Sequence, residues 1–286
     1  MNAFHQILMG IKSRVEACRD SFQVSARAGR LSKIGPFSCP VCGARTWKFD
    51  PLPEFLYDMW RKYGRDMQLV RAETCNVDAY QCSGCRASDR ARLYALYLAD
   101  WFDLLPRSAS GIFLDFAPTD SLKKFIQAKI GANNPLLRYL TADLMMPDVD
   151  LRVDIANMPE IQNDSAVFFV CSHVLEHVPD DRRAMRELFR ILKPGGKGIL
   201  MVPIRLGQKE IDEDPSVTDV GERWRRFGQD DHVRAYNRQG FLERVREAGF
   251  HVEELGNKHF GRWTFWRHGI TQRSVLYVVS RPRNTA

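Results

Sequence analysis

Apolar and polar positions change their spacing along the chain, and these changes divide it into three parts. Residues 3–18 repeat apolar side chains at helical spacing, which predicts an amphipathic helix. Residues 36–86 show no regular period, whereas from Gly111 onward short apolar runs alternate with amphipathic stretches. We therefore predict an amphipathic N-terminal helix region (1–35), a module with a linking helix (36–105) and an α/β domain (106–286).

Strands and helices are predicted to alternate in the third region. Residues 165–172 are almost entirely apolar, as expected for a strand that is covered on both faces. The alternation predicts an α/β fold in which helices cover both faces of a mostly parallel sheet, and ligands of such sheets bind beyond the carboxyl ends of the strands. The predicted strands are residues 111–116, 137–144, 165–172, 197–204, 251–255 and 274–281.

Local signals mark the ends of two predicted helices. The first covers residues 86–102, with Ser88 as a candidate N-cap and Pro106 beyond its last turn. The second follows an Asp pair at residues 180–181, and either member can cap its first turn. The Pro-Gly-Gly sequence at residues 194–196 is predicted to end this second helix.

Two Cys-x-x-Cys pairs lie in the second region. Cys39 and Cys42 form the first pair, and Cys82 and Cys85 form the second. Two intervening residues let both thiolates of a pair bind one tetrahedral ion. We predict a structural Zn²⁺, because four thiolates leave no open position for catalysis. The alternatives are four free buried thiols, or the replacement of one ligand by Cys75.

Positive charge is concentrated near the N-terminus. The chain has 286 residues and a formal net charge of +7. Residues 1–110 hold 16 Lys/Arg and 11 Asp/Glu, but residues 36–110 hold 10 and 9, so the cysteine module itself is barely basic. This bias suits nucleic acid, an anionic membrane or an acidic substrate, and it equally serves solubility. No run of 18 apolar residues and no secretion signal is found, so we expect a cytoplasmic protein without a transmembrane segment.

Polar residues follow the strand predicted at residues 165–172. Ser172 and His173 stand at its carboxyl end, so we expect them to face the ligand crevice. Glu176 and His177 come next in the connection to the following helix. We assign no metal to this pair, because nothing nearby supplies a third ligand at helical spacing.

The segment "SHVLEHVPDDRRAMRELFRILKPGGKGILMVP" strongly resembles the strand–helix–strand segment of class I S-adenosylmethionine (SAM)-dependent methyltransferases. Its elements "LEHV", "LKPGG" and "VP" have the order and spacing of that family, and the resemblance covers about residues 110–285. It implies a seven-stranded Rossmann-like sheet and SAM as the cofactor. The cysteine pairs with "RASDRAR", "FAPTDSL" and "FGQDDHVRAY" resemble a methyltransferase type 11-like bacterial subgroup, whose members often accompany glycosyltransferases and surface-polysaccharide genes.

The resemblance also implies a cofactor site. Asp115 occupies the position of the acid that precedes a glycine-rich turn, although Phe116 and Ala117 stand where the family has glycines. Asp143 matches the acid that accepts both ribose hydroxyls, and Asp154 matches the position beside the adenine amino group. The alternative for each acid is a solvated turn residue. The implied set is Asp115, Phe116, Ala117, Asp143, Leu144, Asp154, Ile155 and Ser172.

A polar insertion at residues 205–238 is predicted to cover the crevice as a lid. Within it, His232 beside Asp231 is a candidate general base for the proton of an acceptor hydroxyl, and His173 is a second candidate. Alignment of the nucleophile with the methyl group contributes most to such a displacement, so a base is only an aid. The alternative is that His232 and Arg234 anchor the insertion through hydrogen bonds.

Aromatic and cationic residues are interleaved over residues 257–273, for example Trp263 with Arg262 and Trp266 with Arg267. Such a surface can stack on sugars or on bases. The alternative is a hairpin loop with partly buried aromatic side chains.

Three functions are consistent with the sequence. The first is SAM-dependent methylation of a hydroxyl on a sugar, a glycan-linked metabolite or another small molecule. The second is RNA methylation, with the N-terminal zinc module binding RNA. The third is a non-catalytic SAM-binding scaffold, which the missing glycines suggest. The helix predicted at residues 3–18 can pack on its own protein, on a membrane surface or on a second subunit, so a homodimer is one option.

Overall fold

The computed structural model describes residues 34–65 and 72–283, so the helix predicted at residues 3–18 lies outside the described residues. Within them, three sheets are formed by eleven strands. The strands are β1 (Phe37–Ser38), β2 (Arg45–Thr46), β3 (Gly111–Phe116), β4 (Leu137–Asp143), β5 (Leu151–Arg152), β6 (Ala166–Ser172), β7 (Leu192–Met201), β8 (Asp212–Glu213), β9 (Arg234–Ala235), β10 (His251–Leu255) and β11 (Leu276–Ser280).

The central sheet has seven strands in the order β10-β11-β7-β6-β3-β4-β5. Strand β3 pairs in parallel with β4 and β6, and β6 pairs in parallel with β7. Strand β11 is antiparallel to both β7 and β10. The predicted Rossmann-like, mostly parallel sheet is therefore confirmed. Strand β5 was not predicted individually, because two residues are too short to show a period of apolar positions.

Helices flank this sheet and occupy the connections. They are α1 (Glu54–Lys62), α2 (Asp89–Leu104), α3 (Asp120–Asn133), α4 (Asp181–Ile191), α5 (Val220–Arg226), α6 (Arg238–Glu247), α7 (Asn257–Phe260) and α8 (Arg262–Arg267). Ser88 caps α2 as predicted, because its hydroxyl accepts a hydrogen bond from the N–H of Ala91. Of the Asp pair, Asp180 is the cap of α4, since Oδ1 accepts from Arg183 N at 2.9 Å.

One predicted element end was wrong. Helix α4 already ends at Ile191, and residues 194–196 lie inside β7 rather than ending the helix. Proline disfavours helical backbone at the residue before it, so the chain turns extended ahead of Pro194. The hairpin loop considered for residues 257–273 contains the two short helices α7 and α8, although it does connect the antiparallel strands β10 and β11.

Aromatic rings fill the space between α2 and the sheet. The rings of Trp101 and Phe168 are 4.5 Å apart, and those of Phe113 and Phe168 are 5.0 Å apart. On β7, Gly198 leaves room for a neighbouring ring, because a Cβ there would lie 2.5 Å from Phe169 Cζ. Such a close approach explains a glycine inside a central strand.

The cysteine module docks on the α/β domain through a buried arginine. Arg92 of α2 is 0% exposed and donates to Ala87 O at 2.9 Å within the module. It also donates to His268 O at 2.7 Å in the segment that contains α7 and α8. Its guanidinium lies 3.9 Å from the ring centre of Phe49. One side chain therefore joins three segments that are far apart in the sequence. No helix of the described chain is long and apolar enough to cross a membrane.

Candidate active site and cysteine centre

The predicted cofactor acids lie at neighbouring strand ends. Asp115 is in β3, Asp143 ends β4, and Asp154 follows β5. Strand β4 pairs with both β3 and β5, and all three strands run parallel, so their carboxyl ends meet at one edge of the sheet. Ser172 ends β6, which is the other neighbour of β3. The fold therefore brings the implied cofactor residues together along one edge.

Asp115 is the most buried of these acids. Its side chain is 1% exposed, and Oδ2 accepts a hydrogen bond of 2.7 Å from the hydroxyl of Tyr139. Burial raises the pKa of Asp115 to about 7, although the Tyr139 hydrogen bond opposes this shift. The carboxyl group is therefore close to half ionised near neutral pH, unlike an ordinary surface aspartate.

The turn after β3 adopts a conformation that usually belongs to glycine. Ala117 has a φ of 51°, in the left-handed region. Its N–H donates to Ala142 O at 2.9 Å, which fixes the turn against β4. Phe116, the other residue that stands in place of a glycine, is 3% exposed and packs in the core. Ala117 thus adopts a backbone conformation that glycine usually adopts, although no glycine stands in this turn.

Asp143 has one engaged oxygen and one available oxygen. Its Oδ1 accepts from Met145 N at 2.6 Å and from Met146 N at 2.7 Å. These bonds hold the turn after β4, and Oδ2 has no hydrogen-bond partner within residues 34–65 and 72–283. Leu144, next in the chain, is 52% exposed.

The turn after β5 places Asp154 on the surface. Asp154 is exposed, and its Oδ1 accepts from Ala156 N at 2.9 Å. Ile155 is 6% exposed and belongs to the main core. The acid and the apolar residue therefore lie side by side at the edge of the sheet.

The end of β6 carries two groups that α2 holds in place. The hydroxyls of Ser172 and Tyr94 are 2.8 Å apart. His173 has a φ of 59°, a strained conformation for a residue other than glycine. Arg90 Nη1 donates to the His173 ring, with 2.8 Å to Nε2. Tyr94 and Arg90 were not predicted, because they are 78 and 83 residues away in sequence from their partners Ser172 and His173.

Beyond His173, four residues form a compact group that we call the histidine–carboxylate cluster: Glu176, His177, Asp231 and His232. Val233 N donates to Glu176 O at 2.9 Å, which fastens the insertion to the connection after β6. One ligand-type atom from each of Glu176, His177 and His232 lies within 4.8 Å of the others. The sequence did not indicate this third ligand-type side chain, because His232 lies far from Glu176 and His177 along the chain.

The imidazoles of the cluster have different partners and opposite pKa shifts. His177 Nδ1 is 3.2 Å from Asp231 Oδ2, so Asp231 contacts His177 rather than His232. Burial disfavours the charge on His177, but the hydrogen bond to Asp231 and the charges of Glu176 and Asp231 together outweigh it and raise the His177 pKa to about 9. His232 is 4% exposed, and its burial lowers the His232 pKa to about 4.

The insertion is attached to the domain by a buried ionic network. Arg244 of α6 donates to Asp181 Oδ2 at 2.6 Å and to Glu213 Oε1 at 2.6 Å. The hydroxyl of Tyr236 donates to the same Asp181 oxygen at 2.5 Å. Arg234 is 1% exposed and donates to the carbonyls of Leu175, Val178 and Pro179. The anchoring role considered for Arg234 is therefore present.

The four cysteines of the two pairs meet at one point. Cys39 Sγ is 3.7 Å from Cys85 Sγ, and Cys42 Sγ is 4.0 Å from Cys82 Sγ. A disulfide would need about 2.05 Å. Four thiolates around a zinc ion at about 2.3 Å would be separated by about 3.8 Å. Cys75 is not part of this group. The sulfur positions therefore fit a tetrahedral ion better than a disulfide.

Two tryptophans of α8 lie on the surface near the module. Trp263 is 67% exposed, Trp266 is 41% exposed, and their rings stack 4.4 Å apart. Phe265 between them is 0% exposed. Of the interleaved aromatic residues of α8, Phe265 is therefore buried, whereas Trp263 and Trp266 form an exposed pair.

A cavity of about 1210 Å³ separates the cysteine module from α3. Cys42, Arg86, Thr119 and Lys124 are among its lining residues. Neither Asp143 nor Asp154 lines it, so this cavity is not the predicted cofactor crevice.

A family described as "Methyltransferase domain" matches residues 67–255. No curated protein matches the sequence.

Several solved structures are similar to this chain at low sequence identity. A chain from the complex between the Haloferax volcanii Trm112 methyltransferase activator and a methyltransferase is 16% identical, with 66% of this chain and 90% of that chain covered and a TM-score of 0.44. A SAM-dependent methyltransferase from Mesorhizobium loti is 17% identical, with 67% and 98% covered and a TM-score of 0.41. The phosphoethanolamine N-methyltransferase 2 of Haemonchus contortus, in complex with SAM, is 12% identical, with 66% and 52% covered and a TM-score of 0.40.

Proposed function

Since the chain belongs to the methyltransferase-domain family, which matches residues 67–255, we propose that it methylates a hydroxyl group of a sugar, a glycan-linked metabolite or another small molecule. SAM-dependent methyl transfer is the activity of the family. The acceptor and the residues that bind cofactor and acceptor are the proposal.

The proposed cofactor site rests mainly on the position and hydrogen bonds of Asp143. Its Oδ1 is used by the turn after β4, and its Oδ2 remains available at the carboxyl edge of the sheet. A carboxylate in this position can accept hydrogen bonds from the vicinal hydroxyls of a ribose. Asp154 and Ile155 would then meet the adenine, with the acid on its amino group and the apolar side chain on its ring. Asp115 and the turn at Ala117 would meet the methionine part.

The acceptor would bind beside His173 and the histidine–carboxylate cluster. His173, Glu176 and His177 follow β6, the middle strand of the sheet, and Asp231 and His232 come from the insertion. In the reaction, the acceptor oxygen attacks the methyl carbon as the carbon–sulfur bond breaks, and the hydroxyl proton passes to the cluster. Alignment of oxygen, carbon and sulfur supplies most of the rate, so proton removal is a smaller contribution.

The cysteine centre would hold a structural Zn²⁺. The separations of 3.7 Å and 4.0 Å between thiols of opposite pairs match the edge of a zinc–sulfur tetrahedron. The ion would cross-link β1–β2 to the start of α2 and would take no part in the reaction, because four thiolates fill its coordination positions.

The first experiment uses SAM that carries a labelled methyl group. The protein is incubated with this SAM and a host lysate, and RNA, protein, glycan and small-molecule fractions are then separated. Label in the glycan or small-molecule fraction supports the proposal. Calorimetry with SAM and its demethylated product runs in parallel. Binding without transfer to any fraction would contradict the enzymatic proposal and favour the scaffold.

RNA methylation is the second candidate function, because of the exposed Trp263–Trp266 stack. Arg262 and Arg267 flank the two rings in sequence, and aromatic faces beside cations bind bases as well as sugars. Label in the RNA fraction would favour this function. Weaker RNA binding of the Trp263→Ala variant, with a steep salt dependence in the unmodified protein, would support it further.

A further inference from the structure

The histidine–carboxylate cluster contains polar atoms that are buried without a hydrogen bond. Glu176 is 0% exposed, and no group of the described chain forms a hydrogen bond with its Oε2. The same is true of His232 Nε2 and Asp231 Oδ1. Buried polar atoms are nearly always paired, so a group of unpaired ones points to a bound species.

Both imidazoles are oriented as metal-binding histidines are. His232 Nδ1 lies 3.2 Å from the carbonyl of Phe227, and a carbonyl can only accept, so Nδ1 carries the hydrogen. His177 Nδ1 lies 3.2 Å from the Asp231 carboxylate and carries the hydrogen for the same reason. Nε2 is therefore the nitrogen of each ring that an ion would bind, and on His177 the ion would displace the second proton of the imidazolium. A histidine that binds a metal usually donates its other N–H to a carboxylate or a carbonyl.

Burial disfavours the charge of Glu176, but the neighbouring histidines His173, His177 and His232 outweigh it and lower the Glu176 pKa to about 2. Oε1 lies 3.1 Å from His173 Nδ1 and 4.0 Å from His232 Nε2, and no arginine or lysine side chain among residues 34–65 and 72–283 forms an ion pair with it. A carboxylate removed from water needs a compensating cation. His173 is itself held by Arg90, so its ring is positioned to support Glu176 rather than to replace such a cation.

We propose that Glu176, His177 and His232 bind a divalent transition-metal ion, separate from the cysteine centre. Two imidazoles and one carboxylate are a ligand set typical of Zn²⁺ or Fe²⁺ sites that keep open positions. One ligand-type atom of each residue lies within 4.8 Å of those of the other two, so rotation of the side chains can bring all three to one ion.

The role of this ion rests on the proposed function. In its open position the ion binds the acceptor oxygen and makes the hydroxyl more acidic. The hydroxyl proton would be lost to solvent, an oxygen–carbon bond would form, and the carbon–sulfur bond of SAM would break. The products are a methyl ether and the demethylated cofactor, so no oxidant or reductant is needed. The acceptor class is thereby narrowed to molecules with an oxygen that can bind a metal.

Cobalt titration of the metal-free protein tests the site directly. Thiolate ligands give Co²⁺ an intense charge-transfer band, whereas nitrogen and oxygen ligands do not. We expect two equivalents of Co²⁺ per chain, of which only one shows the thiolate band. Glu176→Gln, His177→Gln and His232→Gln should each lose the second equivalent and keep the first. Azide should change the visible spectrum of the second equivalent, because that ion has an open position.

Two controls separate this site from the rest of the protein. His251→Gln alters an exposed histidine of β10 and should keep both equivalents. Cys42→Ser should weaken the equivalent with the thiolate band and keep the other. If a cluster variant does not fold, X-ray absorption of the unmodified protein loaded with two equivalents of Zn²⁺ decides, since an all-sulfur environment would overturn the proposal.

The outcome does not depend on that of the proposed function. An unmodified protein that binds SAM but takes up only the thiolate-bound equivalent would remove the metal site and leave the methyltransferase assignment. A protein that takes up two equivalents of Co²⁺ but does not bind SAM would support the metal site and contradict the methyltransferase assignment. Retention of the second equivalent by all three cluster variants would overturn the ligand set.

Discussion

The buried carboxyl group of Asp115 should make the stability of the protein depend on pH in a way that one substitution removes. Its pKa is raised to about 7 by burial, whereas an aspartate in the unfolded chain has a pKa of about 3.9. Between these values the native state binds the proton and the unfolded state does not. The free energy of unfolding therefore falls as the pH rises from about 4 to about 7.

The size of this effect follows from the two pKa values. Each unit corresponds to about 1.4 kcal/mol, so the Asp115 contribution falls by about 3 kcal/mol between pH 5 and pH 8. Asp115→Asn keeps the size of the side chain and an acceptor for the Tyr139 hydroxyl, but it does not titrate. We expect the free energy of unfolding of Asp115→Asn, measured relative to the unmodified protein, to rise by that amount over this range.

Urea unfolding followed by circular dichroism at pH 5, 6, 7 and 8 measures this difference. Asp103→Asn is a matched control for the loss of one carboxylate, because Asp103 is exposed on α2 whereas Asp115 is buried. Parallel curves for Asp115→Asn and the unmodified protein would refute the reasoning. Saturating SAM should reduce the slope if the cofactor's ammonium group contacts Asp115, because that contact favours the ionised form.

Three further substitutions test the cofactor site, the cysteine centre and the anchoring network. Asp143→Asn should weaken SAM binding at least tenfold in calorimetry without changing the melting temperature, because an acceptor remains for the turn while the ribose loses one. Cys82→Ser should release zinc in metal analysis and destabilise the module, whereas Cys75→Ser should retain the metal. Asp181→Ala should lower the free energy of unfolding by about 3–5 kcal/mol, because Arg244 loses a buried partner, while Asp180→Ala should cost about 1 kcal/mol through the lost helix cap. Equal losses for the two Asp variants would contradict this division of roles.

Much of the α/β domain could be predicted because its signals are local. The strands β3 and β10 have the predicted ends, and Ser88 caps α2 as expected. Such features depend on the period of apolar positions and on capping chemistry, both of which act over a few residues. The two-residue strand β5 had too few positions to show a period.

The histidine–carboxylate cluster could not be predicted in the same way. His232 reaches Glu176 because the insertion folds back and Val233 N bonds to Glu176 O. Neither residue type nor spacing in the sequence indicates this contact, because about 55 residues lie between Glu176 and His232 and form several helices and strands. The Asp231–His232 neighbours suggested a pair, yet the Asp231 carboxylate lies on His177. Adjacent residues in an extended segment point in different directions, so sequence proximity was a poor guide here.

Two of the motifs on which the resemblance rests each contain a buried arginine that holds separate segments of the fold together. Arg92 in "RASDRAR" and Arg234 in "DDHVRAY" are at most 1% exposed, and both donate to backbone carbonyls of other segments. A buried guanidinium needs several acceptors, and loop carbonyls supply them without a second side chain. The same motifs also contain Arg90, which holds His173, and His232, which belongs to the cluster. The first motif thus attaches the cysteine module to the sheet and the second attaches the insertion, and each places a polar side chain, Arg90 or His232, near the end of β6. Substitution of Arg92 or Arg234 should therefore impair activity, because it would displace Arg90 or His232.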